Sequence, residues 1–249
     1  MNGKFKIFIS EILNRFGIFV SSTKTLPKAN LSSFLHKLKG TGYKPELILD
    51  IGANKSSWSK EASLFFPQSE YFLVEPQVEL NDYLDSFCLK HKNSKYINCG
   101  VGAKSEEKLF TLIPDTVSST FNITIDEVKM HGYKQRLVKI TTINEIIKEN
   151  LKGRCPDIIK IDAEGSEYDI LLGASEAIGT TEIILIELHF FKSDTSSKDF
   201  SDMIIIMKNY GYVPLDFSWF MPRPHDKFPG LTEVAFALEN GKIRKYKGW

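Results

Sequence analysis

Residues 46–54, ELILDIGAN, indicate the class of fold. Residues 47–51 are a short, mostly apolar run, which is typical of a strand buried on both faces of a parallel sheet. The run stops at Gly52, a residue type that permits a tight turn and a close approach of the backbone to a ligand. Ligands of open α/β sheets bind beyond the carboxyl ends of such strands, so we expect a ligand site to begin at residues 50–54.

Along the rest of the chain, short apolar runs typical of strands alternate with segments whose apolar residues have helical spacing. Strands are predicted at residues 47–51, 71–75, 95–98, 138–141, 157–161, 182–188, 212–217 and 233–238, and helices at residues 31–39, 57–66, 78–90, 142–151, 166–172 and 198–210. Repeated strand–helix–strand units imply an α/β fold with a parallel sheet, right-handed connections and helices on both faces.

Two regions break this alternation. Residues 105–139 contain a predicted strand at 109–113, a turn-rich stretch at 114–122 and a polar stretch at 124–134. Residues 218–231 contain Pro222, Pro224 and Pro229, and are predicted to form a loop over one end of the sheet.

Residues 1–45 differ from the rest and are predicted to be a helical extension of one domain formed by residues 46–249. Apolar residues on one helical face of this extension are Phe5, Phe8, Ile9, Ile12, Leu13 and Phe16. This spacing favours a helix over residues 4–16 that packs on the domain or on a second subunit, which would make a homo-oligomer. A helix at a membrane surface is the alternative, because the apolar face is aromatic and several cations flank it. Residues 18–30 are predicted to be a linker.

Charge and cysteine content argue against several classes of protein. The 249 residues carry a formal net charge of +1, so no overall field indicates nucleic acid as a partner. Three cysteines without a CxxC pair argue against a disulfide framework or a zinc site and favour a reducing compartment. No apolar run reaches the roughly 18 residues of a transmembrane segment, and the first residues lack the features of a signal peptide. We therefore expect a cytoplasmic protein.

Small or ionisable residues follow the next four predicted strands of the parallel sheet. Glu75 ends the second strand, where a carboxylate can accept hydrogen bonds from both hydroxyls of a ribose. Residues 98–102, NCGVG, follow the third strand and are small enough to suit a flat adenine ring. The ionisable residues after the next two strands are Asp162, Glu164, Glu167, Glu187 and His189.

These motifs, taken in order, resemble the FkbM-type methyltransferases. They are DIGAN at residues 50–54, VEP at 74–76, SST at 118–120, KIDAEGSE at 160–167 and IELH at 186–189. The resemblance covers roughly residues 46–189, and the agreement of several motifs in spacing and context is more specific than any single motif. It implies the Rossmann-like class I methyltransferase fold, a mostly parallel seven-stranded sheet with helices on both faces and an antiparallel last strand.

The resemblance also implies S-adenosylmethionine as the cofactor and a set of residues that bind it. By position these are Asp50, Gly52, Asn54, Glu75, Asn98, Gly100, Val101 and Asp162. The loop at 50–54 would hold the cofactor, Glu75 its ribose and residues 98–101 its adenine. Asp162 would lie with Glu164 near the methyl group.

Family resemblance favours O-methylation of a hydroxyl on a saccharide or secondary-metabolite acceptor. Such a hydroxyl must lose its proton, and Asp162, Glu164 and His189 are the candidate bases. Each has a structural alternative, because Asp162 could cap a helix or bind the cofactor's amino group, Glu164 could accept backbone N–H groups, and His189 could be a sheet-edge residue. Residues 115–121 and 219–228 could cover the acceptor.

A divalent metal ion is a further candidate ligand at the carboxyl ends of the same strands. Glu187 and His189 lie on one side of a predicted strand and, with Asp162, could ligate a metal through mixed nitrogen and oxygen donors. No ligand spacing is diagnostic, so no metal is predicted.

The cofactor loop departs from the family at one point. The family follows DIGAN with a variable residue and a glycine, whereas this chain has Lys55 and Ser56. Serine tolerates fewer backbone conformations, and an inward lysine would repel a sulfonium by about 1–4 kcal/mol at roughly 4 Å. We expect Lys55 to point to solvent. A loop closed by these residues would instead indicate a non-catalytic accessory protein.

A dinucleotide site is the main rival for the same loop. From Gly52, the dinucleotide fingerprint requires glycines at positions 54 and 57, which hold Asn54 and Ser57. The sequence therefore argues against hydride transfer.

Overall fold

The structure, a computed structural model, describes residues 29–192 and 197–245. Its elements are α1 (Leu31–Gly40), β1 (Leu47–Ile51), α2 (Ser57–Phe65), β2 (Glu70–Val74), a 3₁₀ turn (Val78–Leu80), α3 (Asn81–Lys90), β3 (Lys95–Ile97), β4 (Gly100–Val101), β5 (Glu106–Leu112), α4 (Ile125–His131), β6 (Lys134–Thr141), α5 (Ile143–Glu145, continued by a π-helical turn at Ile146–Asn150), β7 (Ile158–Ile161), α6 (Glu167–Leu172), β8 (Ile183–His189), α7 (Phe200–Asn209), β9 (Tyr212–Pro222) and β10 (Pro229–Leu238).

The main sheet has seven strands in the order β3-β2-β1-β7-β8-β10-β9. The strands from β3 to β8 pair in parallel, and β10 runs antiparallel to both of its neighbours. The chain moves outward from β1 to β3 and then returns to place β7 on the other side of β1. This reversal is a topological switch point, where α/β sheets bind ligands. The predicted α/β fold and its antiparallel last strand are confirmed.

Both faces of the main sheet are covered by apolar side chains, as a parallel sheet requires. Consecutive β1 residues point to opposite sides, so Ile48 lies in one core and Leu49 in the other, and both are fully buried. α1 packs Phe34, Leu35 and Leu38 into the same core as Ile48. The predicted helix at residues 31–39 is thus confirmed and packs on the sheet, while the domain boundary at residue 45 stays a prediction.

The predicted loop over residues 218–231 is wrong. β9 extends to Pro222 and β10 begins at Pro229, so that only residues 223–228 connect the two strands. The two prolines are register partners at the turn end of this hairpin, and β9 is the edge strand of the sheet. Proline is tolerated at strand ends and on edge strands because no ladder hydrogen bond is lost there. The prolines predicted a loop, but Pro222 and Pro229 pair within an antiparallel hairpin instead.

A second sheet of three strands, in the order β4-β6-β5, takes β5 and most of β6 from the region at 105–139 where the alternation breaks, and β4 from Gly100–Val101 before it. β5 is longer than the predicted strand at 109–113 and pairs antiparallel with β6. α4 lies in the polar stretch at 124–134, for which no helix was predicted. It begins with a capping box, in which Thr124 and Glu127 each accept a hydrogen bond from the other's backbone N–H. This Thr-x-x-Glu spacing is the sequence signal that could have identified the helix.

The predicted helix at residues 4–16, most of the predicted linker and the contact with a second subunit lie outside the described residues. Among the helices of residues 29–192 and 197–245, none has both the length and the apolar character needed to cross a membrane.

Lys160 is a buried cation that joins β7 to β1. It is 3% exposed, and its Nζ lies 3.1 Å from Asp162 Oδ2 and 3.5 Å from Asp50 Oδ1. The ammonium also donates to the Gly52 carbonyl oxygen at 2.9 Å. Burial alone would lower the pKa of Lys160, but the Asp162 and Asp50 carboxylates raise it above its ordinary value. Asp50 is 0% exposed, so Lys160 supplies the positive charge that its carboxylate needs in the core.

We expect Lys160→Met to leave Asp50 buried without a counter-charge and to lower the free energy of unfolding by about 3–5 kcal/mol. Urea denaturation followed by circular dichroism measures this change. The matched control is Lys39→Met, which replaces an exposed lysine of α1 and should change the same free energy by less than about 0.5 kcal/mol. Equal unfolding midpoints for the two variants would contradict a stabilising role for Lys160.

Candidate active site

An open cavity lies at the carboxyl ends of β1, β2 and β7, beside the switch point. Its empty volume is about 620 Å³, including the part open to solvent, and ligand pockets span about 300–1,000 Å³. The predicted site residues that line it are Gly52, Asn54, Glu75, Gly100, Val101, Asp162 and Glu164. The other predicted site residues, Asp50, Asn98 and His189, are not part of its lining.

A second cavity lies at the opposite end of the sheet, against the first residues of β1 and β2. Arg154 borders it, but its guanidinium is already paired with the Glu70 carboxylate at 2.5 Å. Because ligands of α/β sheets bind at the carboxyl ends of the strands, the cavity at the switch point is the candidate site.

Gly52 brings the loop after β1 against the end of β7. Its φ is +73°, and a Cβ atom on this residue would lie 1.7 Å from the Asp162 carbonyl oxygen. Any side chain would therefore force the two strand exits apart. The loop continues with Asn54, which lines the cavity and also has a positive φ of 46°. Its side-chain amide donates to the Thr116 carbonyl oxygen at 2.8 Å.

Lys55 and Ser56 leave the cavity open. Ser56 has a φ of 57°, the left-handed region that glycine adopts most easily, at a cost of roughly 1–2 kcal/mol for another residue. Lys55 is half-buried and is not part of the cavity lining. Its ammonium lies 5.7 Å from the centre of the Tyr83 ring. The lysine thus points away from the cavity, although it packs on a ring instead of extending freely into solvent.

Glu75 connects the loops that follow β1 and β2. It is 2% exposed, and its carboxylate accepts from the Asn54 backbone N–H at 2.8 Å and from the Gln77 backbone and side-chain N–H groups at 2.9 and 3.2 Å. Burial raises the pKa of Glu75, and these hydrogen bonds oppose the rise. A carboxylate has about four acceptor positions. In this conformation three are used and one stays open, so binding of both ribose hydroxyls would require the Gln77 side chain to move.

Asp50 and Asn98 support the cavity from behind. Asp50 accepts from the Ser59 hydroxyl at 2.5 Å and pairs with Lys160. The Asn98 side-chain amide donates to the Asn81 side chain at 2.9 Å and to the Glu75 carbonyl oxygen at 3.0 Å. Both side chains are hydrogen-bonded or ion-paired to other residues of the chain, and neither lines the cavity. Their direct contact with the cofactor stays a prediction.

Residues 115–121 contribute to the lining of the cavity, and their role as a cover for the acceptor stays a prediction. Val117, Ser119 and Phe121 line the cavity. The Thr120 hydroxyl donates to the Glu164 carbonyl oxygen at 2.9 Å, which attaches this segment to the exit of β7. Residues 219–228, the other predicted cover, are not part of the lining.

Asp162 and Glu164 both line the cavity at the exit of β7, but their partners differ. Asp162 pairs with Lys160, whereas no hydrogen bond or ion pair reaches the Glu164 carboxylate from residues 29–192 or 197–245. Burial, followed by the neighbouring Asp162 and Glu167, raises the pKa of Glu164 to about 7. The sequence offered Glu164 as an acceptor for backbone N–H groups. In the structure Glu167 has that role, because its Oε1 accepts hydrogen bonds from the backbone N–H groups of Ala163 at 3.0 Å and Gly165 at 3.2 Å.

Glu187 and His189 of β8 are placed differently from each other. The Glu187 carboxylate is buried and lies close to Asp162 and Glu164, with oxygen atoms of all three within 4.8 Å of one another. His189 is exposed beside Leu231 of β10 and does not join this group. The structure therefore brings together two of the three candidate bases and adds Glu187 to them.

The fold and the cavity define a class of protein. A sheet of this order, with a glycine-containing loop after β1 and a cavity at the switch point, is that of the Rossmann-like class I methyltransferases. The chain belongs to the FkbM methyltransferase family, because the family model for the methyltransferase FkbM domain matches residues 50–214, more than half of its length. S-adenosylmethionine is accordingly its cofactor.

Solved structures of other methyltransferases resemble the chain only distantly. Precorrin-6y C5,15-methyltransferase from Geobacter metallireducens is 13% identical with a TM-score of 0.44, covering 88% of this chain and 93% of that chain. The O-methyltransferase TomG from Streptomyces achromogenes, solved with SAM, is 10% identical with a TM-score of 0.46, covering 95% of this chain and 91% of that chain. No curated protein matches the chain. These likenesses are too distant to indicate an acceptor.

The cavity fits S-adenosylmethionine in three respects. Gly52, which has no side chain, lines the cavity with the backbone of the loop after β1. Glu75 keeps an acceptor position for a ribose hydroxyl. Asp162 and Glu164 place carboxylates in the cavity, which is favourable for a ligand that carries a positively charged sulfur.

We expect Gly52→Ala to weaken binding of S-adenosylhomocysteine by at least about tenfold, a loss of about 1.4 kcal/mol, because the new methyl group displaces the loop. Calorimetric titration measures the dissociation constant. Gly42→Ala is the matched control, since Gly42 also has a positive φ, of +82°, but a Cβ atom added there would have no atom within 4 Å. Equal affinities in the two variants would show that the close approach to Asp162 is dispensable.

We expect Glu75→Ala to weaken binding of S-adenosylhomocysteine by about 1.5–3 kcal/mol, because it removes hydrogen bonds to a charged group. The same titration tests this, with Glu79→Ala as the control. Glu79 lies four residues further along, is exposed and pairs with Arg136. An unchanged dissociation constant in Glu75→Ala would refute the ribose assignment.

Proposed function

We propose that the protein methylates a hydroxyl oxygen on a saccharide or secondary-metabolite acceptor. S-adenosylmethionine, when bound, supplies a methyl group on a positively charged sulfur. The residues of the chain must then align the acceptor with that methyl group and take up the hydroxyl proton.

The observation that carries this proposal is the shared cavity of the cofactor loop and two carboxylates. Gly52, Asn54, Asp162 and Glu164 all line this cavity. A carboxylate beside the cofactor pocket can accept the proton that a hydroxyl acceptor must lose. This arrangement favours oxygen methylation over a reaction that needs no base.

The two carboxylates suit different tasks. Asp162 is held by the Lys160 ammonium at 3.1 Å, so its orientation is restricted and it is suited to positioning. Glu164 has no such partner in the described ranges, and its carboxylate is available to accept a proton. His189 stays a candidate only if the acceptor extends beyond the cavity lining.

The acceptor is proposed to lie under residues 115–121. Val117, Phe121 and Phe110 provide apolar surface there, and Ser119 lines the same cavity. Apolar rings with a few polar groups suit the face of a sugar or of a small alcohol. We place this reaction in the cytoplasm, since Cys88, Cys99 and Cys155 are all free thiols.

The first test is calorimetric titration of the purified chain with S-adenosylhomocysteine, with NAD as the parallel control. We expect micromolar binding of the former and none of the latter. A well-folded protein that binds neither would favour the accessory-protein alternative. Binding of NAD alone would replace methyl transfer with a dinucleotide function.

The second test uses methyl-labelled S-adenosylmethionine with a panel of saccharides and small alcohols. Label that survives mild alkali is expected, because ethers resist base and methyl esters do not. Glu164→Gln should reduce the rate by about 10²–10⁴-fold and leave binding of S-adenosylhomocysteine, which carries no positively charged sulfur, unchanged. Glu176→Gln, at an exposed position, is the control. Full activity in Glu164→Gln would remove Glu164 as the base.

A further inference from the structure

Carboxyl groups at the rim of the cavity outnumber the cations that pair with them. Carboxylate oxygens of Asp162, Glu164 and Glu187 lie within 4.8 Å of one another. In the part of the chain that the structure describes, Lys160 is the only side-chain cation that forms an ion pair with any of the three, and Asp50 shares it. One ammonium group therefore faces more carboxylates than it can neutralise.

Glu187 is the least compensated member of this group. It is 7% exposed, yet its carboxylate forms no hydrogen bond or ion pair with residues 29–192 or 197–245. Its carboxylate nevertheless lies beside those of Asp162 and Glu164, which face the cavity. Burial and the neighbouring Asp162 and Glu164 raise the pKa of Glu187 well above its usual range. A charge on a buried carboxylate without a partner is costly, so this group ionises readily only when a cation is bound beside it.

The donors and their spacing suit a hard divalent cation. All three ligands are carboxylate oxygens, the donor type that Mg²⁺, Mn²⁺ and Ca²⁺ prefer over softer metals. Oxygens on opposite sides of a Ca²⁺ ion are about 4.6–5.2 Å apart, and those around Mg²⁺ about 4.0–4.2 Å. The separations of up to 4.8 Å in this group are compatible with one shared ion after little or no movement.

We propose that Asp162, Glu164 and Glu187 bind one divalent, oxygen-preferring cation at the rim of the cofactor cavity. The ligand set differs from the Asp162, Glu187 and His189 set that the sequence suggested. His189 is exposed and lies outside the group. The absence of diagnostic ligand spacing in the sequence is explained by the geometry, because two ligands come from the exit of β7 and one from β8.

The cation would narrow the class of acceptor, an implication that rests on the proposed function. Three carboxylate ligands leave positions of a six-coordinate ion open for other oxygens. Two neighbouring oxygens of an acceptor, as in a vicinal diol, would fit such positions. Coordination would also make an acceptor hydroxyl more acidic, and a ligand carboxylate keeps a second oxygen that can take the proton.

The test is Mn²⁺ binding by the full chain, followed by electron paramagnetic resonance of the free ion and by calorimetry, with Mg²⁺ and Ca²⁺ as competitors. We expect one saturable site that Glu187→Gln weakens at least tenfold. Glu107→Gln, an exposed acid on β5, should leave the affinity unchanged. Without metal, Glu187→Gln should melt no lower than the unsubstituted chain, because it replaces a buried carboxyl group that has no partner with a neutral amide of nearly the same size.

The outcomes separate this inference from the proposed function. Binding of S-adenosylhomocysteine without saturable Mn²⁺ binding would overturn the cation site and leave methyl transfer intact. An unchanged Mn²⁺ affinity in Glu187→Gln would also overturn it, since the ion would then bind elsewhere. Loss of Mn²⁺ binding in Glu187→Gln, in a protein that binds no S-adenosylhomocysteine, would support the cation site and refute the proposed function.

Discussion

The buried Lys160 ammonium is the interaction on which the ligand site depends. It lies between Asp50 of β1 and Asp162 at the exit of β7, and it also binds the Gly52 carbonyl oxygen. Two carboxylates from neighbouring strands would repel each other in the core without this charge. The same cation therefore neutralises Asp50 and holds the ends of the strands on either side of the switch point.

The geometry of the cavity follows from this close approach of β1 and β7. Gly52 passes so near the Asp162 carbonyl that no side chain fits. The loop beyond it is held by Glu75, which accepts the Asn54 backbone N–H and so links β1 to β2. Carboxyl groups also gather at the exits of β7 and β8, where Glu164 and Glu187 lie without a partner in the described residues. The loop after β1 is consequently held by several hydrogen bonds, whereas the carboxyl groups at the exits of β7 and β8 outnumber the cations that pair with them.

Local sequence signals predicted the elements that are built from local constraints. The apolar run of β1, its terminal Gly52 and the helical spacing of α1 correspond closely to the structure. The capping box of Thr124 was also a local signal, although the polarity of the stretch concealed it. The hairpin of β9 and β10 was not predictable in the same way, because its prolines indicate a turn until the partner strand is known.

The sequence by itself determined the class of fold and the order of the strand exits. It could do so because side-chain periodicity and residue type act over a few neighbouring residues. Only the tertiary structure decided which acids meet and which are neutralised. The Asp50 carboxylate pairs with Lys160, and the Asn98 amide donates to Asn81. The Glu187 carboxylate lies close to Asp162, whereas His189 is exposed. Charge balance depends on distances between strands far apart in sequence, and no local pattern encodes those distances.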